Sequence, residues 1–283
     1  MNKIEILKSE KDGLKVKADI HRMAKEGWES ISEDDIQRLK WYGLFLRNPT
    51  PGFFMLRVRI PNGFSFSHQI RVLCFIAETF GNGIIDITTR QQVQLRQLKI
   101  ENVPEVFDLL EEAGLTSTQT GLDNVRNIIG CPVAGLNPKE RVNPYAQVKA
   151  LNEHILNNSK FSNLPRKFNV AISGCMSDCI HAETQDLALV PAVQEKGGNR
   201  VYGFNILVGG KLGSGGYRIA TSLDVFVSPE EVVEVCSAII LLYRDHGSRE
   251  ARNKNRLAFL IEDWGEEKFR KALEKRLGKS LSS

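Results

Sequence analysis

One short stretch of alternating side chains, residues 53–60, constrains the fold more than any other part of the chain. Because successive side chains of a strand point to opposite faces, alternate residues must share an environment. One face of this strand would carry four apolar side chains, Phe54, Leu56, Val58 and Ile60. The opposite face would carry Arg57 and Arg59, and two arginines are unusual on a strand that otherwise resembles the interior of a sheet.

The segments that follow have the order of a ferredoxin-like half-sandwich. A helix is predicted from Ser67, a good N-cap, to Gly81, and two strands follow at 84–87 and 92–98. A second helix is predicted over 104–114, and a last strand is expected at 115–119. The resulting order, β-α-β-β-α-β, predicts this fold for the first part of the chain.

Residues 86–96, D-I-T-T-R-Q-Q-V-Q-L-R, combine a strand pattern with an unusual set of polar side chains. Apolar Val93 and Leu95 alternate with amides and a guanidinium, so one face can pack while the other stays polar. The turn Thr88–Arg90 adds hydroxyls and a second guanidinium. An ordinary surface strand would mix charges of both signs, whereas the side chains that leave this sheet donate hydrogen bonds. The stretch therefore predicts a cradle for a large anion.

The chain changes character at residue 121. A glycine-bounded, irregular segment, 121–135, places Arg126 between two asparagines. The helices predicted after it are 144–157, 229–244, 248–264 and 266–277, and the predicted strands are 167–173, 186–191 and 202–208. We therefore predict an α+β protein with a ferredoxin-like half-domain, residues 1–120, followed by an α/β domain, residues 121–283.

The composition of the 283 residues is that of a globular protein, with 42% hydrophobic and 25% charged residues. No apolar run approaches the ~20 residues that span a bilayer, and Met1–Glu5 lacks the apolar core of a signal peptide. We expect a cytoplasmic protein with no membrane partner. A net charge of +4 is too small to indicate nucleic acid. An odd number of cysteines, five, predicts free thiols rather than disulfides.

Seven cations fall in predicted strands or tight loops: Arg57, Arg59, Arg90, Arg96, Arg126, Arg166 and Lys167. Each alone is more simply explained as a solvated side chain. Two like charges ~4 Å apart repel by about 4 kcal/mol at an effective dielectric constant of 20, so a cluster needs anions between its members. A ligand rich in carboxylates or phosphates would supply them through bidentate arginine contacts.

Several motifs, in order and over nearly the whole chain from about residue 10, resemble the nitrite/sulfite reductase family. They are L-R-V-R-I-P-N-G (56–63), D-I-T-T-R-Q-Q-V-Q-L-R (86–96), G-L-D-N-V-R-N (121–127), N-L-P-R-K-F-N (163–169), H-A-E-T-Q-D (181–186), G-F-N-I-L-V-G-G (203–210) and L-I-E-D-W-G (260–265). The resemblance is strongest to the ferredoxin-dependent nitrite reductases.

This resemblance implies two pseudo-symmetric halves that share one sirohaem coupled to a [4Fe-4S] cluster. It implies the six-electron reduction of nitrite to ammonium, with reduced ferredoxin as donor, and sulfite reduction to sulfide as the alternative. The chain resembles the N-terminal half. Its partner would be a C-terminal-half chain that holds the cluster ligands, so the resemblance assigns no metal ligand here.

The resemblance also implies roles for individual residues. Arg57, Arg126 and Lys167 would surround the substrate anion, and Asn169 would distinguish nitrite from sulfite, because similar sulfite reductases carry a second lysine there. The contacts to the sirohaem carboxylates would be Thr88, Arg90, Gln94 and Arg96, with Arg59, Asn124 and the Gly209–Gly210 turn as weaker candidates.

Cys175 and Cys179 have the C-x3-C spacing of one pair of cluster ligands in the family, but the C-x5-C pair is missing. Two thiolates are too few for a [4Fe-4S] cluster, which favours the interpretation of a degenerate, duplicated loop. Two other functions stay open, a sulfite reductase half and a non-catalytic module that binds a tetrapyrrole or polyanion. An RNA-binding domain is discounted, because Met55, Arg57 and Arg59 occupy the sheet face where stacking aromatics would be needed.

Overall fold

The structure, a computed structural model, describes residues 2–213 and 215–283. Three helices precede the first sheet: α1 (Lys3–Glu10), α2 (Ile20–Glu26) and α3 (Glu33–Leu39). Asn2 caps α1, since its side chain accepts from the backbone N–H groups of Ile4 and Glu5. Within the described ranges, no helix is both long enough and apolar enough to cross a membrane.

The first sheet has four antiparallel strands in the order β1-β2-β4-β3. Its strands are β1 (Leu44–Arg47), β2 (Thr50–Val58), β3 (Ile85–Ile87) and β4 (Val93–Lys99). Helices α4 (Ser67–Phe80) and α5 (Val103–Glu112) share one hydrophobic core with it. Leu56 and Leu95 face each other in the β2–β4 ladder, and both are fully buried. The ferredoxin-like arrangement is confirmed.

The strand expected at 115–119 is not formed. A single bridge joins Thr116 to Arg59, and β1 takes the place beside β2. The reason is that the carbonyl groups of Thr118 and Gln119 accept hydrogen bonds from the Arg59 guanidinium, at 3.3 and 2.9 Å, instead of continuing the ladder. A side chain has therefore replaced a neighbouring strand.

The second sheet has five strands in the order β5-β6-β7-β8-β9. Its strands are β5 (Ile129–Gly130), β6 (Val170–Ile172), β7 (Leu187–Lys196), β8 (Asn199–Val208) and β9 (Thr221–Val227). The first three are parallel, and the remaining neighbours are antiparallel. Helices α6 (Tyr145–Ile155), α7 (Val232–His246) and α8 (Leu257–Leu277) cover it with a second core.

The helix expected over 248–264 begins only at Leu257. Residues 248–256 stay irregular because their arginines reach buried acceptors: Arg252 binds Asp123 and Arg256 binds Asp186. Gly265, with φ +72°, interrupts α8 at the boundary that the sequence suggests between two helices.

Side chains from the N-terminal segment connect the two sheets. Lys8 of α1 donates to Asp123 Oδ2 at 3.2 Å and to the Leu164 carbonyl at 2.9 Å. The Trp41 indole donates to the Ser162 carbonyl at 3.1 Å, and the Asn2 amide donates to the Arg249 carbonyl at 2.6 Å. These contacts join the N-terminal part of the chain to the segments that lead into β5 and β6.

Candidate functional site

The seven cations singled out in the sequence lie in one region of the structure. They come from β2, from β4 and its preceding turn, and from the loops that enter β5 and β6. Burial is the main cause of the lowered pKa values in this set, and mutual repulsion adds to it: Arg96 acts on Arg57, Arg90 on Arg59, Arg57 and Arg90 on Arg126, and Arg126 and Arg166 on Lys167. We name these seven residues the cation cluster. These effects show that the seven side chains lie within reach of one another's charge.

Arg57 lies half-buried at the centre of the cation cluster, across the β2–β4 ladder from Gln94. Its guanidinium sits 4.8 Å from the centre of the Phe45 ring and donates to the Thr120 carbonyl at 3.2 Å. Its Nε has no partner. Burial and then the charge of Arg96 lower the pKa of Arg57. The side chain is positioned by neutral groups, which leaves its charge uncompensated.

Arg126 precedes β5 and is held by two backbone carbonyls, those of Thr120 at 2.7 Å and Leu122 at 2.8 Å. Its Nε is buried without a partner. Burial, followed by the charges of Arg57 and Arg90, lowers the pKa of Arg126 well below its ordinary value. A buried cation in this state gains from any anion that can approach it.

Lys167 precedes β6, and neighbouring carboxylates are already occupied. Asp123 pairs with Arg252 and Asp186 pairs with Arg256, at distances of 2.7–2.9 Å. Burial and the positive charge of Arg256 and Arg126 lower the pKa of Lys167 to about 8. Its ammonium group can therefore release a proton near neutral pH.

Arg90 and Thr88 form the turn before β4. Thr88 Oγ1 accepts from the backbone N–H groups of Arg90 at 3.3 Å and Gln92 at 3.1 Å, so this hydroxyl shapes the turn. Arg90 donates to Gln185 Oε1 at 2.9 Å and to the Asn127 carbonyl at 3.1 Å. Burial lowers its pKa to about 10, and its Nε lacks a partner.

Arg96 and Gln94 occupy the polar face of β4. Arg96 Nε donates to Asp86 Oδ2 at 2.5 Å, and both side chains are about one-third exposed. Gln94 lies between Arg57 on β2 and Asp86 on β3 in the ladder. This face stays accessible at the edge of the cation cluster.

Two predicted cofactor contacts, Arg59 and Asn124, lie inside the protein instead. Arg59 is 2% exposed, and all its N–H donors bind carbonyl groups or Asn152 Oδ1. Asn124 is fully buried, and its amide donates to the Gly121 carbonyl at 2.8 Å. Both residues shape the segment 118–126 from within, so the structure does not bring them to the accessible face.

The Gly209–Gly210 turn lies against the segment that enters β7. The Gly209 N–H donates to the Asp186 carbonyl at 2.9 Å, and Gly209 has φ +80°. A Cβ on Gly210 would lie 2.4 Å from the Glu183 carbonyl oxygen. The turn therefore packs against protein backbone at this point.

Asn169 follows Lys167 on the same side of the strand that becomes β6. Its backbone N–H donates to Asp186 Oδ2 at 2.8 Å, which fixes the entry of the chain into the sheet. Its side-chain Oδ1 is buried and lacks a partner. An amide thus occupies a place where it can accept or donate one further hydrogen bond.

The sequence did not reveal the two buried carboxylates that organise the cation cluster. Asp186 accepts two hydrogen bonds from Arg256, and this carboxylate outweighs the effect of burial, so the pKa of Arg256 rises. Asp123 binds Lys8 and Arg252. Their partners lie 70 to 129 residues away along the chain, and no local spacing indicates such pairs.

The donor set fits a large polyanion. Four members of the cation cluster have a guanidinium Nε that is buried without a partner: Arg57, Arg90, Arg126 and Arg166. All four of these arginines, and Lys167, also have pKa values lowered by burial and by neighbouring positive charges. A ligand with several carboxylates would relieve both conditions at once. In the described residues, no group of three or more His, Cys, Asp or Glu side chains could hold a metal ion.

Comparisons with known proteins give the same family for both parts of the chain. Residues 47–113 match the Nitrite/Sulfite reductase ferredoxin-like half domain, and residues 121–281 match the Nitrite and sulphite reductase 4Fe-4S domain. The chain is 47% identical to ferredoxin–nitrite reductase of Leptolyngbya laminosa, a match that covers 100% of this chain and 56% of that relative. It is 39% identical to the assimilatory ferredoxin-dependent nitrite reductase of Haloferax mediterranei, covering 96% and 49%.

The solved structure of the NirA protein of Mycobacterium tuberculosis has the same fold. It superimposes with a TM-score of 0.92 at 32% sequence identity, covering 99% of this chain and 54% of that one. The chain spans about half the length of the curated relatives that it matches. On the matches to both domain families, the chain belongs to the nitrite and sulphite reductase family.

Proposed function

We propose that this chain is the N-terminal half of an assimilatory ferredoxin-dependent nitrite reductase. The observation that carries the proposal is the cation cluster, in which Arg57, Arg90, Arg126 and Lys167 converge while the nearest carboxylates are paired elsewhere. The relatives named as nitrite reductases support it, and so does the share of their length that the chain covers. An oxidoreductase that acts on a small anion needs such a face.

The residues that would hold sirohaem are those on the accessible part of the cation cluster. Arg90, Gln94 and Arg96 would bind its carboxylates, and Thr88 would set the turn that presents Arg90. When bound, sirohaem and a [4Fe-4S] cluster on the C-terminal half would pass electrons from reduced ferredoxin to nitrite. Arg59 and Asn124 would support this surface from beneath, because they hold segment 118–126 in place.

Arg57, Arg126 and Lys167 would bind the substrate anion. The two arginines are held by carbonyl groups and keep their charge for the ligand. Lys167, with a pKa of about 8, would hold a proton at Nζ at neutral pH and give it up as substrate oxygen leaves as water. The proton would thus come from the Lys167 ammonium group, whose pKa is already lowered by burial.

Asn169 would favour nitrite over sulfite. A neutral amide beside Lys167 leaves one cation fewer than a second lysine would provide. Because sulfite carries more negative charge than nitrite, the smaller positive charge suits nitrite better. A sulfite reductase half is the alternative, and the Asn169 side chain separates the two.

The partners of this function would be reduced ferredoxin and a polypeptide equivalent to the C-terminal half of the relatives, in the cytoplasm. The boundary near residue 120 would divide the half into its ferredoxin-like and sirohaem-binding domains. Loop residues 121–128 would belong to the second domain, although Arg59 of the first domain holds them from below.

The proposal is tested by co-expression of the chain with a C-terminal-half polypeptide that carries C-x5-C and C-x3-C. The complex should bind sirohaem and reduce nitrite with reduced ferredoxin. Arg126→Ala should lower kcat/KM for nitrite by about 100-fold, since a charge-assisted contact is lost. Arg47→Ala, at an exposed end of β1, is the matched control.

Two results would contradict the proposal. One is a sirohaem-loaded complex in which Arg126→Ala reduces nitrite as fast as the parent chain. The other is the isolated chain taking up sirohaem, with its Soret band, while the complex with the second half stays inactive. The second result would favour the tetrapyrrole-binding module instead.

A further inference from the structure

Three cysteines that the proposed function does not use lie at the opposite end of the parallel strands from the cation cluster. Cys131 directly follows β5, and Cys175 and Cys179 lie in the loop after β6. Because Gly130 pairs with Ile172 in the parallel ladder, the chain segments leaving these two strands are neighbours. Neighbouring strands lie about 4.8 Å apart, within the range of Cα separations that a disulfide can bridge.

The side chains meet as this register requires. The thiols of Cys131 and Cys175 are close enough for Cys175 to raise the pKa of Cys131, and both residues are nearly inaccessible, at 2% and 3% exposure. Burial raises the pKa of the Cys131 thiol above its ordinary value, so Cys131 is not the thiol that first meets an oxidant.

Cys179 gives this buried pair a connection to solvent. It is exposed, four residues after Cys175, and it is close enough for its charge to act on Cys131. A cavity of about 250 Å3 also opens beside Cys175 and is lined by Ser173, Asp178 and Leu207. An exposed thiol next to two buried thiols is the arrangement in which one cysteine meets an oxidant and another resolves it.

We propose that Cys131 and Cys175 form a reversible disulfide, and that Cys179 brings the oxidising equivalents from a small-molecule disulfide in solution. Cys179 attacks the small disulfide, forms a mixed disulfide and releases one thiol. Cys175 then attacks the Cys179 sulfur and releases the second thiol, and Cys131 attacks the Cys175 sulfur, which returns Cys179 to the thiol. One small disulfide is reduced to two thiols, which take up the protons lost by Cys131 and Cys175.

The bond would join two loops that already touch. The backbone N–H of Arg141 donates to the Gly174 carbonyl at 2.8 Å, so the loop after β5 rests on the loop after β6. Oxidation would fix this contact covalently without touching the cation cluster.

The experiment treats the reduced chain with oxidised glutathione, stops exchange with acid, and alkylates the remaining thiols after unfolding. Tryptic peptides 127–139 and 168–196 should then be joined, with the alkyl group on Cys179. Cys74 and Cys236 should carry the alkyl group before and after oxidation, since Cys74 lies on α4 of the first domain and Cys236 is fully buried in the core of the second sheet. An alkylated Cys131 in the oxidised sample would overturn the proposal.

Cys179→Ser tests the relay itself, and its exposed position makes it compatible with folding. The bond between Cys131 and Cys175 should form at least about tenfold more slowly in this variant, because a buried thiol must then meet the oxidant directly. Formation at the parent rate would show that Cys179 does not pass oxidising equivalents to the buried pair, which would contradict the relay. Neither result depends on sirohaem or on nitrite reduction, so failure here is distinct from failure of the proposed function.

Discussion

Asp186 binds Arg256 through both carboxylate oxygens, each 2.7 Å from a guanidinium nitrogen, and both side chains are buried. The same carboxylate accepts from the backbone N–H of Asn169 at 2.8 Å. One buried ion pair thus joins the start of α8 to the loop that presents Lys167 and Asn169. Its effect on stability can be separated from any effect on a ligand.

Asp186→Asn should lower the free energy of unfolding by about 3–5 kcal/mol, because Arg256 would keep a buried charge without its carboxylate. Urea denaturation of the isolated chain measures this. Asp245→Asn is the control, since Asp245 pairs with Arg244 and Arg276 at the surface, where the loss should stay below about 1 kcal/mol. Equal losses in the two variants would contradict the importance of the buried pair.

Arg59→Met should destabilise the chain by about 3 kcal/mol or more. Arg59 satisfies four backbone carbonyl groups and the Asn152 side chain, and methionine would leave these buried acceptors without donors. Thermal unfolding without any ligand gives the comparison with Arg47→Met on β1. Unchanged stability in Arg59→Met would instead return Arg59 to a role in ligand binding.

Lys167 gives the chain a stability that depends on pH in a defined direction. Its pKa in the folded chain, about 8, lies below the ordinary value of 10.5, so the unfolded chain binds more protons between these values. The unfavourable charge therefore acts in full below pH 8 and is relieved as pH rises toward 10.5. Urea denaturation at several pH values measures the free energy of unfolding of the parent chain and of Lys167→Met. The parent chain should gain stability relative to the variant across this window. A difference between the two that does not change with pH would refute the shift.

Loss of the Lys167 proton should weaken anion binding, so affinity should fall over the pH range in which stability rises. Affinity for uroporphyrin, an iron-free tetrapyrrole with many carboxylates, should fall as pH rises through about 8, because Lys167 then loses its charge. Lys167→Arg should bind with nearly constant affinity up to pH 9, since arginine stays protonated. Fluorescence titration measures both. Parallel pH profiles for the two chains would contradict a role for Lys167 in binding.

Asn169→Lys should change the preference for the substrate in a complex with the C-terminal half. A second ammonium beside Lys167 should raise the ratio of kcat/KM for sulfite to that for nitrite by about tenfold, because it attracts the more highly charged anion. Asn199→Lys, the same substitution at the exposed start of β8, serves as control. A ratio that does not move would leave Asn169 as a residue that only begins β6.

The sequence predicted the elements that have a regular apolar pattern. It did not predict the segments whose backbone groups bind side chains instead of a neighbouring strand. The alternation in 53–60 and the apolar spacing of α4 and α5 predicted the first sheet and its helices correctly. Strand β9 was missed because Asp224 adopts φ +52° and the β8–β9 ladder shifts its register, so its alternation is broken. The segment 115–119 has a strand-like composition, but Arg59 takes up its carbonyl groups.

The candidate site followed the same rule. An excess of arginine over carboxylate in strands and loops predicted a cluster of cations, and the structure brings those residues together. The sequence pattern did not predict where each side chain lies. Arg57 and Arg59 are two residues apart, yet Arg57 is partly accessible and Arg59 is enclosed. The carboxylates Asp123 and Asp186 depend on partners far along the chain, so only the folded structure reveals them.

The attachment of α1 also determines when this part of the protein can mature during synthesis. Lys8 must wait for Asp123 and Leu164, 115 and 156 residues later, and Asn2 waits for Arg249, 247 residues later. Helix α1 is therefore among the last parts of the described chain to reach its final position. Until Asp123 and Leu164 are in place, the Lys8 ammonium group remains hydrated. Nascent chains halted before residue 249 should therefore be cleaved by proteases within residues 1–10.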